Sequence, residues 1–316
     1  MSRLAHTSIF VFAVLVRNGA LDASTVLPAD YTGSLYVSDY NNDRVAVYDP
    51  LGIYLHSFTV AGLDGPRGIV VLPEGKTYVA SERTDEIFVF DADGQYETRF
   101  THAELDMPTG MAVSDAGLLY VPSFSNDQVV VFELDGTYVR TFTGGGLDGP
   151  NCVAFDSSGN VYVASALTDN VIKFDRSEKL VTTFTGGGLN SPMGIARDAE
   201  DVLYVAGGLS HNIVRFDTEG NYLGEMSHTD LATPQGVAFD GQGHLYSSSF
   251  SNDSVVEFDA NGSYVRTITE GGLNVARSVA FVPVPEPPSA ILLAVGLLSV
   301  VCWHRKARKP LLANAA

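Results

Sequence analysis

The run Leu35-Tyr36-Val37 recurs as Thr77-Tyr78-Val79, as Val161-Tyr162-Val163 and in close variants, always at multiples of 42 residues. Six tyrosines keep this interval without a slip in register: Tyr36, Tyr78, Tyr120, Tyr162, Tyr204 and Tyr246. A fixed interval of this length is typical of repeat architectures, in which one small unit cannot bury its apolar face alone. The sequence therefore predicts a set of similar units that pack against one another.

Three further columns of residues keep the same interval. A proline column has an alanine in its sixth place and comprises Pro66, Pro108, Pro150, Pro192, Pro234 and Ala276. An aromatic column comprises Tyr48, Phe90, Phe132, Phe174, Phe216 and Phe258. A glycine column comprises Gly52, Gly94, Gly136, Gly220 and Gly262, and Glu178 is its one departure.

Each unit contains four short runs of β-type residues, for example at 152–155, 161–164, 171–174 and 180–184. Turn residues such as Asp156-Ser157-Ser158-Gly159 separate these runs, and no helical period is present between residues 31 and 282. Apolar and β-branched runs bounded by such turns predict strands joined by tight connections. Each unit is therefore expected to be a sheet of four antiparallel strands.

The two ends of the repeat region predict how the units are arranged. A four-stranded unit of about 42 residues fits a propeller blade. The chain begins on a second strand, Leu35-Tyr36-Val37, and ends on a first strand, Ser278-Val279-Ala280-Phe281. A seventh blade would need a tyrosine at the place of Pro288. We therefore expect an all-β fold, a six-bladed β-propeller of four-stranded antiparallel blades that is closed by pairing of the N- and C-terminal strands.

The units also resemble a known repeat. The stretch from Leu35 to Asp49, LYVSDYNNDRVAVYD, looks like an NHL repeat, as does the segment Pro192-Met193-Gly194-Ile195-Ala196. The resemblance covers roughly residues 31 to 282 and implies a six-bladed propeller, which we place in the domain 24–282. Only the first unit keeps the pairing of Asn42 with Arg44, so a function tied to that arginine is not expected in the other units.

The charge of the chain limits its partners. The net charge is −18, and without residues 1–23 and 286–316 the remaining 13 basic and 35 acidic residues leave −22. Such a surface repels a phosphate backbone, so nucleic acid is not an expected partner, although some NHL proteins bind RNA. Solubility alone would also explain an acidic surface.

Both ends of the chain carry targeting patterns. Residues 1–23 begin with Arg3, continue with an apolar stretch and end in small residues around Ala23. That order is typical of a secretory signal peptide, and the stretch is too short to span a bilayer.

Residues 283–309 contain a motif, a short apolar run and a basic cluster. The motif is Val284-Pro285-Glu286-Pro287, and an uncharged run extends from Ser289 to Trp303. The basic cluster comprises Arg305, Lys306, Arg308 and Lys309, and a tail at 310–316 follows it. Positive charge after an apolar run would keep this end in the cytoplasm and the propeller on the far side of the membrane.

This arrangement is similar to the PEP-CTERM sorting signal. The resemblance implies a Gram-negative bacterium whose exosortase recognises the motif, cleaves the tail and passes the protein to the outer envelope, the cell surface or an extracellular matrix. The apolar run would then hold the protein in the membrane until it is processed. The alternative is an ordinary single-pass anchor.

The sequence shows no catalytic or metal-binding pattern. The seven histidines fall in different columns, and the common hydrolase, zinc and phosphate-loop motifs are absent. The segments at Asp91 and Asp259 begin like calcium loops, but turn chemistry also explains them. Cys152 is interpreted as a small buried residue that needs no disulfide. We therefore expect no metal and no cofactor.

One column varies where its neighbours do not. It follows the proline column and comprises Arg67, Thr109, Asn151, Met193, Gln235 and Arg277. This column should lie where the six first strands meet the central channel, and its variation predicts a site for an anionic or sugar-like ligand. Unconstrained solvent positions would vary in the same way.

Two functional hypotheses remain open. The first is an exported, non-enzymatic binding or scaffold module for a polysaccharide, a protein or a small ligand. The second is a propeller lyase or lactonase similar to the streptogramin lyases. Histidine or acidic residues that converge at one channel mouth would favour the enzyme.

Overall fold

The structure, a computed structural model, describes residues 33–282 together with residues 16–17 and 20–21. Residues 33–282 form six antiparallel sheets of four strands each, arranged in a ring. This confirms the predicted all-β six-bladed β-propeller. The helical elements of the described residues are three short 3-10 turns: Tyr40–Asn42, Phe124–Asn126 and Phe250–Asn252.

We number the blades in chain order and their strands from the central axis outwards. Blade 1 consists of Ala276–Val282, Ser34–Asp39, Arg44–Tyr48 and Tyr54–Phe58. Blade 2 consists of Pro66–Val71, Thr77–Ser81, Glu86–Phe90 and Tyr96–Phe100. Blade 3 consists of Ala112–Val113, Leu118–Ser123, Gln128–Glu133 and Tyr138–Phe142.

The second half of the ring repeats this order. Blade 4 consists of Pro150–Phe155, Val161–Ser165, Asn170–Phe174 and Leu180–Phe184. Blade 5 consists of Pro192–Arg197, Leu203–Gly207, Asn212–Phe216 and Tyr222–Met226. Blade 6 consists of Pro234–Phe239, Leu245–Ser249, Ser254–Phe258 and Tyr264–Ile268.

Blade 1 closes the ring by joining the two ends of the repeat region. Its first strand, Ala276–Val282, pairs antiparallel with its second strand, Ser34–Asp39. In this register Ala280 lies opposite Tyr36 and Val282 lies opposite Ser34. The predicted pairing of the two terminal strands is therefore confirmed.

Burial decreases from the second strand of a blade to the fourth. All five residues of Thr77–Ser81 are buried, whereas four of the five in Tyr96–Phe100 are exposed. Both faces of the inner strands meet a neighbouring blade, which explains their apolar and β-branched content. On the outer edge of blade 2, the charged residues Glu97 and Arg99 interrupt the apolar pattern and so disfavour pairing with another chain.

The core is divided among the interfaces between blades. One buried cluster contains Val89 of blade 2 and Val121 of blade 3, and another contains Val37 of blade 1 and Val255 of blade 6. Similar clusters fill the other interfaces. No blade therefore has a core of its own, as expected for a repeat protein.

A recurring hydrogen bond links each blade to the next one. Asp43 has a left-handed φ of 50°, and its Oδ1 accepts the backbone N–H of Gly65 at 2.9 Å. Asp85, Asp127, Asp169 and Asp253 repeat this contact. In blade 5 the residue is His211, whose Nδ1 accepts the N–H of Thr233 at 2.9 Å. Asp, Asn and His tolerate this conformation better than most residues, which suits them to this place.

The tyrosine column adds a second link between blades. The Tyr78 hydroxyl donates to the carbonyl of Leu134 in blade 3 at 2.8 Å. The Tyr120 hydroxyl donates instead to Glu178 Oε1 at 2.8 Å, and Arg140 Nε binds Glu178 Oε2 at 2.8 Å. Glu178 is the departure from the glycine column, and its φ is 61°. Its contacts across the blade interface offset the strain of this backbone conformation.

The acidic segments that begin like calcium loops lie in tight turns. Asp91 Oδ1 accepts the N–H groups of Asp93 and Gln95 at 3.0 and 2.8 Å. Asp259 Oδ1 accepts those of Asn261 and Ser263 in the same way. These are the hydrogen bonds of Asx turns, as the turn interpretation predicts. Among the described residues there is no group of three or more His, Cys, Asp or Glu side chains that could hold a metal ion.

Several predicted segments lie outside the described residues. They include the sorting motif Val284–Pro287, the apolar run up to Trp303 and the basic cluster Arg305–Lys309. Within the region assigned to the signal peptide, Val16–Arg17 pairs antiparallel with Ala20–Leu21. Among the residues that the structure describes, no helix has the length and apolar character needed to cross a membrane.

The closing blade has a polar seam of its own. Asp39 is fully buried and accepts the N–H of Asn274 at 2.7 Å through Oδ1. Its Oδ2 accepts from Asn42 Nδ2 at 2.9 Å and from Arg44 Nε at 2.7 Å. Arg44 Nη2 also donates to the carbonyl of Gly271 at 2.6 Å. The Asn42 and Arg44 pair of the first unit therefore ties the N-terminal part of blade 1 to the segment that leads into the last strand.

Replacing Arg44 should weaken the closed ring. We expect Arg44→Gln to lower the free energy of unfolding by about 2–3 kcal/mol, because it removes charge-assisted hydrogen bonds to a buried carboxylate. The matched control is Arg99→Gln, which removes a partly exposed ion pair with Glu86 at 3.3 Å and should cost less than about 1 kcal/mol. Urea denaturation followed by circular dichroism measures both. Equal losses in the two variants would contradict a special role for the seam.

Candidate ligand-binding site

The variable column lies at one mouth of the central channel, at the starts of the first strands. Five of its six members line a small cavity of about 30 Å³: Arg67, Asn151, Met193, Gln235 and Arg277. This volume holds roughly two water molecules or one carboxylate group. A ligand larger than this would therefore insert only one small group into the cavity and keep the rest outside. We call this place the channel mouth.

Thr109 has a different role. Its side chain is fully buried and does not line the cavity. The Thr109 Oγ1 donates to the carbonyl of Pro150, the first residue of blade 4, at 3.1 Å. The backbone N–H of Thr109 donates to Pro122 within blade 3. Thr109 thus links two neighbouring blades and, unlike the other five members of the column, does not line this cavity.

Arg67 is part of a buried ion pair. Its Nη1 lies 2.8 Å from Glu82 Oε2, and each side chain is only 9% exposed. The Tyr40 hydroxyl donates to Glu82 Oε1 at 3.0 Å. These contacts place one carboxylate and one guanidinium in fixed positions beside the channel mouth. Because both charges are buried, each depends strongly on the other.

Arg277 lies on the closing strand and has no carboxylate at ion-pair distance among the described residues. Its guanidinium carbon lies 4.6 Å from the ring centres of both Tyr40 and Phe250. Its Nη1 donates to Gln235 Oε1 at 3.2 Å. Burial, assisted by the charge of Arg67, lowers the pKa of Arg277 to about 10. Arg277 is therefore still charged at neutral pH, in surroundings that would favour an added anion.

Two buried donors at the channel mouth are unsatisfied. Within the described residues, Asn151 Nδ2 and Arg277 Nε have no hydrogen-bond partner. A buried donor without a partner costs about 1–3 kcal/mol, so such groups usually mark a bound water, an ion or a ligand. Both residues line the same cavity. Each residue therefore contributes one donor without a hydrogen-bond partner at this cavity.

The channel narrows behind the mouth because the first strands approach one another closely. A Cβ on Gly68 would lie 2.2 Å from the carbonyl oxygen of Thr109, and one on Gly194 would lie 2.4 Å from that of Gln235. Glycine is needed at these places because any side chain would collide with the next strand. Cys152 occupies the same column in blade 4, and burial raises the pKa of its thiol. We call this constriction the neck.

Sequence reasoning did not identify the neighbouring column, of which several residues contact Arg67 or Arg277 at the mouth. They occupy the column Tyr40, Glu82, Phe124, Ala166, Gly208 and Phe250. A single acidic residue among aromatic and small ones is a signal that could have been noticed. Its pairing with Arg67, however, depends on side-chain packing that the period alone does not give.

The described histidines do not converge on the channel. His102 stacks on Tyr138 with ring centres 3.9 Å apart, and His228 stacks on Tyr264 at 3.8 Å. His244 Nδ1 lies 2.7 Å from Glu257 Oε1 in blade 6. Neither these three nor His56 and His211 line the cavity at the mouth.

Comparison with solved structures supports the fold. A catalytically inactive variant of virginiamycin B lyase from Staphylococcus aureus with Quinupristin is 14% identical, with a TM-score of 0.61 over 80% of this chain and 89% of that one. A structure of the Nidogen/Laminin complex is 17% identical, with a TM-score of 0.69 over 80% and 99%. A protein of unknown function from Bacteroides caccae is 14% identical, with a TM-score of 0.63 over 79% and 99%.

At these identities the similarity shows the propeller fold alone. The matched structures include a lyase and a complex of two proteins. No family model and no curated protein matches the chain.

The ion pair at the mouth can be tested by neutralising its acid. We expect Glu82→Gln to lower the free energy of unfolding by about 3–5 kcal/mol, because Arg67 would be left buried without a carboxylate. The control Glu97→Gln breaks the exposed pair of Glu97 with Lys76 and should cost less than about 1 kcal/mol. Urea denaturation at neutral pH compares the two variants. A Glu82→Gln variant as stable as the control would contradict the assigned pair.

Proposed function

We propose that this protein is an exported, non-enzymatic binding or scaffold module whose channel mouth receives an anionic group of a polysaccharide or protein. The observation that carries the proposal is the pair of unsatisfied donors, Asn151 Nδ2 and Arg277 Nε, in one cavity. A carboxylate group in this cavity would offer these donors the acceptor that they lack, through charge-assisted hydrogen bonds.

The local charge supports an anion. Arg67 and Arg277 at the mouth face one carboxylate, that of Glu82, among the residues that contact them. The mouth is thus locally positive within a propeller of strongly negative net charge. This contrast favours specific binding at one place over general attraction of anions to the surface.

The position of the mouth also supports a binding role. The first strand of blade 1 begins at the mouth with Ala276 and ends at Val282, which pairs with Ser34. The described propeller therefore begins and ends on the face opposite to the mouth. The mouth therefore lies on the face that carries neither end of the described propeller.

The lyase or lactonase alternative has less support. Such an enzyme needs a free acid or base near the substrate. At the mouth the candidate among the described residues is Glu82, and Arg67 and Tyr40 already bind its two oxygens. No described histidine lines the cavity. The similarity to a virginiamycin B lyase concerns the fold.

The proposed localisation of the protein rests on the sequence patterns at its two ends. We propose that residues 1–23 direct export and that an exosortase removes the C-terminal segment after the Val284–Pro287 motif is recognised. The mature protein would then reach the cell surface, outer envelope or matrix. The membrane association through the apolar run would be temporary.

The proposed C-terminal processing can be tested on the protein purified from its host. We expect intact-mass spectrometry to show that the basic cluster Arg305–Lys309 has been removed, and a host without its exosortase to retain it. The variant Glu286→Ala should also retain the basic cluster, as the unaltered protein does in a host without the exosortase. A mature protein that extends through Ala316 in the normal host would contradict the proposal.

Binding at the mouth can be tested with a charged polymer and its neutral counterpart. We expect polygalacturonate to bind and its methyl ester, which lacks the carboxylate charge, to bind at least about 10-fold more weakly. Arg277→Gln should weaken polygalacturonate binding by a similar factor, whereas Arg99→Gln on an outer strand should not change it. Calorimetric titration measures all four combinations.

Two results would count against the site. One is equal binding of the charged and neutral polymers, which would remove the role of the anion. The other is equal loss of binding in Arg277→Gln and Arg99→Gln, which would indicate non-specific attraction to surface cations. An acidic peptide such as polyglutamate, used in the same way, separates a protein-like partner from a polysaccharide.

A further inference from the structure

The face of the propeller around the channel mouth carries two exposed leucines. Leu167 and Leu209 lie in the turns between the second and third strands of blades 4 and 5, and each is 62% exposed. These turns lie on the mouth face because the second strands end beside the residues that begin the first strands, as Ser165 does beside Pro150. The other exposed large hydrophobic residues of the described chain lie on fourth strands, at the outside of the ring.

The repeat does not require leucine at these two places. In the other four blades the same column is polar: Asn41, Arg83, Ser125 and Ser251. A single exposed leucine is ordinary on a protein surface. Two of them in adjacent blades, on the face that carries the unsatisfied donors, form a patch that the fold itself does not explain.

Both leucines adjoin residues of the mouth. A Cβ on Gly208, the residue before Leu209, would lie 3.0 Å from Cγ of Met193, which lines the cavity. A Cβ on Gly149 would lie 2.8 Å from Cγ of Leu167, and Gly149 leads into the first strand of blade 4. The partly exposed Met193 thus continues the apolar surface from the leucines to the cavity. We call Leu167, Leu209 and Met193 the leucine patch.

The charged residues of the mouth come from the opposite side of the ring. Arg277 belongs to blade 1 and Arg67 to blade 2. In a closed ring of six blades, blade 1 faces blade 4 and blade 2 faces blade 5, and blades 4 and 5 carry the leucine patch. A ligand that lies across the mouth therefore meets guanidinium groups on one side and apolar side chains on the other. Such a surface fits a ligand in which a negative charge and an apolar group are close together.

We propose that the channel mouth binds the C-terminal end of a partner protein, whose terminal carboxylate enters the cavity beside Arg277 and whose last apolar side chains lie on the leucine patch. The proposal rests on the anion site proposed above and names the partner of that site. The cavity of about 30 Å³ admits one small group, and the first strands crowd together at the neck behind it. A chain end suits such a place because only one segment of the partner has to leave it.

The leucine patch favours a protein end over a polysaccharide. Leucine and methionine side chains offer a sugar no hydrogen-bond donor and no strong acceptor, whereas they can remove the apolar side chains of a peptide from water. A terminal carboxylate is also joined directly to the carbon that carries the last side chain. Charge and apolar surface are therefore only a few bonds apart in such a ligand, as the narrow mouth requires.

The first test uses three N-acetylated pentapeptides and isothermal titration calorimetry. The leucine acid has leucine at its last and third-last positions and a free C-terminal carboxylate. The leucine amide is the same peptide with a C-terminal amide, and the serine acid has serine in place of both leucines. We expect the leucine acid to bind with one molecule per chain, and each of the other two peptides to bind about 10-fold more weakly.

Variants of the leucine patch separate the apolar contact from the charge. Replacing both leucines, Leu167→Ser with Leu209→Ser, should weaken binding of the leucine acid roughly 10-fold and leave that of the serine acid unchanged. Both side chains are mostly exposed, so folding should not depend on them. The matched control is Leu223→Ser on the fourth strand of blade 5, where Leu223 is 45% exposed, and it should change neither affinity.

The position of the peptide can be checked in the unaltered protein by NMR of methionine methyl groups. The methyl signal of Met193 should shift when the leucine acid is added, whereas that of Met111, buried between blades 2 and 3, should not. Binding of the leucine acid without a shift at Met193 would overturn the proposed position.

The peptides also distinguish this inference from the anion site on which it rests. Equal binding of the leucine acid and the serine acid would overturn the contact with the leucine patch. Equally tight binding of an amide-capped peptide with an internal glutamate would overturn the assignment to a chain end. If no peptide binds while polygalacturonate does, this inference fails and the anion site stands. If neither binds, the anion site fails as well.

Discussion

The pairing of Ala276–Val282 with Ser34–Asp39 is the constraint on which the other features depend. Each blade buries its faces against two neighbours, so an open ring would expose the faces of two blades. The closing pair is also reinforced by polar contacts that involve Asp39 and Arg44. One local seam therefore stabilises a structure in which no blade is complete without its neighbours.

Closure also assembles the channel mouth. Arg277 comes from the last strand of the described chain, whereas Tyr40, whose ring lies against it, comes from the turn after the first described strand of the propeller. Arg67 and Glu82 come from blade 2. These groups are far apart in sequence and meet because the ring is closed. The proposed binding site and the stability of the fold thus depend on the same contact.

The repeat separates residues that the fold requires from those that it leaves free. Glycine at Gly68 or Gly194 is required because the neighbouring strand leaves no room for a side chain. The next residue towards the mouth has no such restriction, and there the six units differ. The two cavities on either side of the neck differ in size, at about 30 Å³ for the mouth and about 420 Å³ for the cavity on the other side.

The architecture could be predicted from the sequence because the same residue pattern recurs six times at one interval. The first run of the repeat region matches a second strand and the last run matches a first strand, and this predicted their pairing. The variable column was placed at the mouth for the same reason, but Thr109 has a different role because its hydroxyl reaches the carbonyl of Pro150. The partner of Glu178 was not predictable, since Arg140 lies in the neighbouring blade, 38 residues away and outside the repeat interval.

The larger cavity on the other side of the neck could not be predicted either. Phe155 and Phe239 read as ordinary strand residues, and the space between them depends on how far the blades splay. Glu82 and Tyr40 were missed because buried polar pairs are decided by side-chain packing, which one sequence does not report. The repeat interval therefore predicts the fold, whereas the chemistry of the sites depends on side-chain packing that the interval does not determine.

The closed ring is tested most directly by native-state hydrogen exchange. If Ala276–Val282 is an integral strand, its hydrogen-bonded amides should be protected to the same extent as those of Pro234–Phe239 in blade 6, because both would open only with the whole ring. Exchange of Ala276–Val282 at rates typical of a frayed chain end, with Pro234–Phe239 still protected, would contradict closure by this strand.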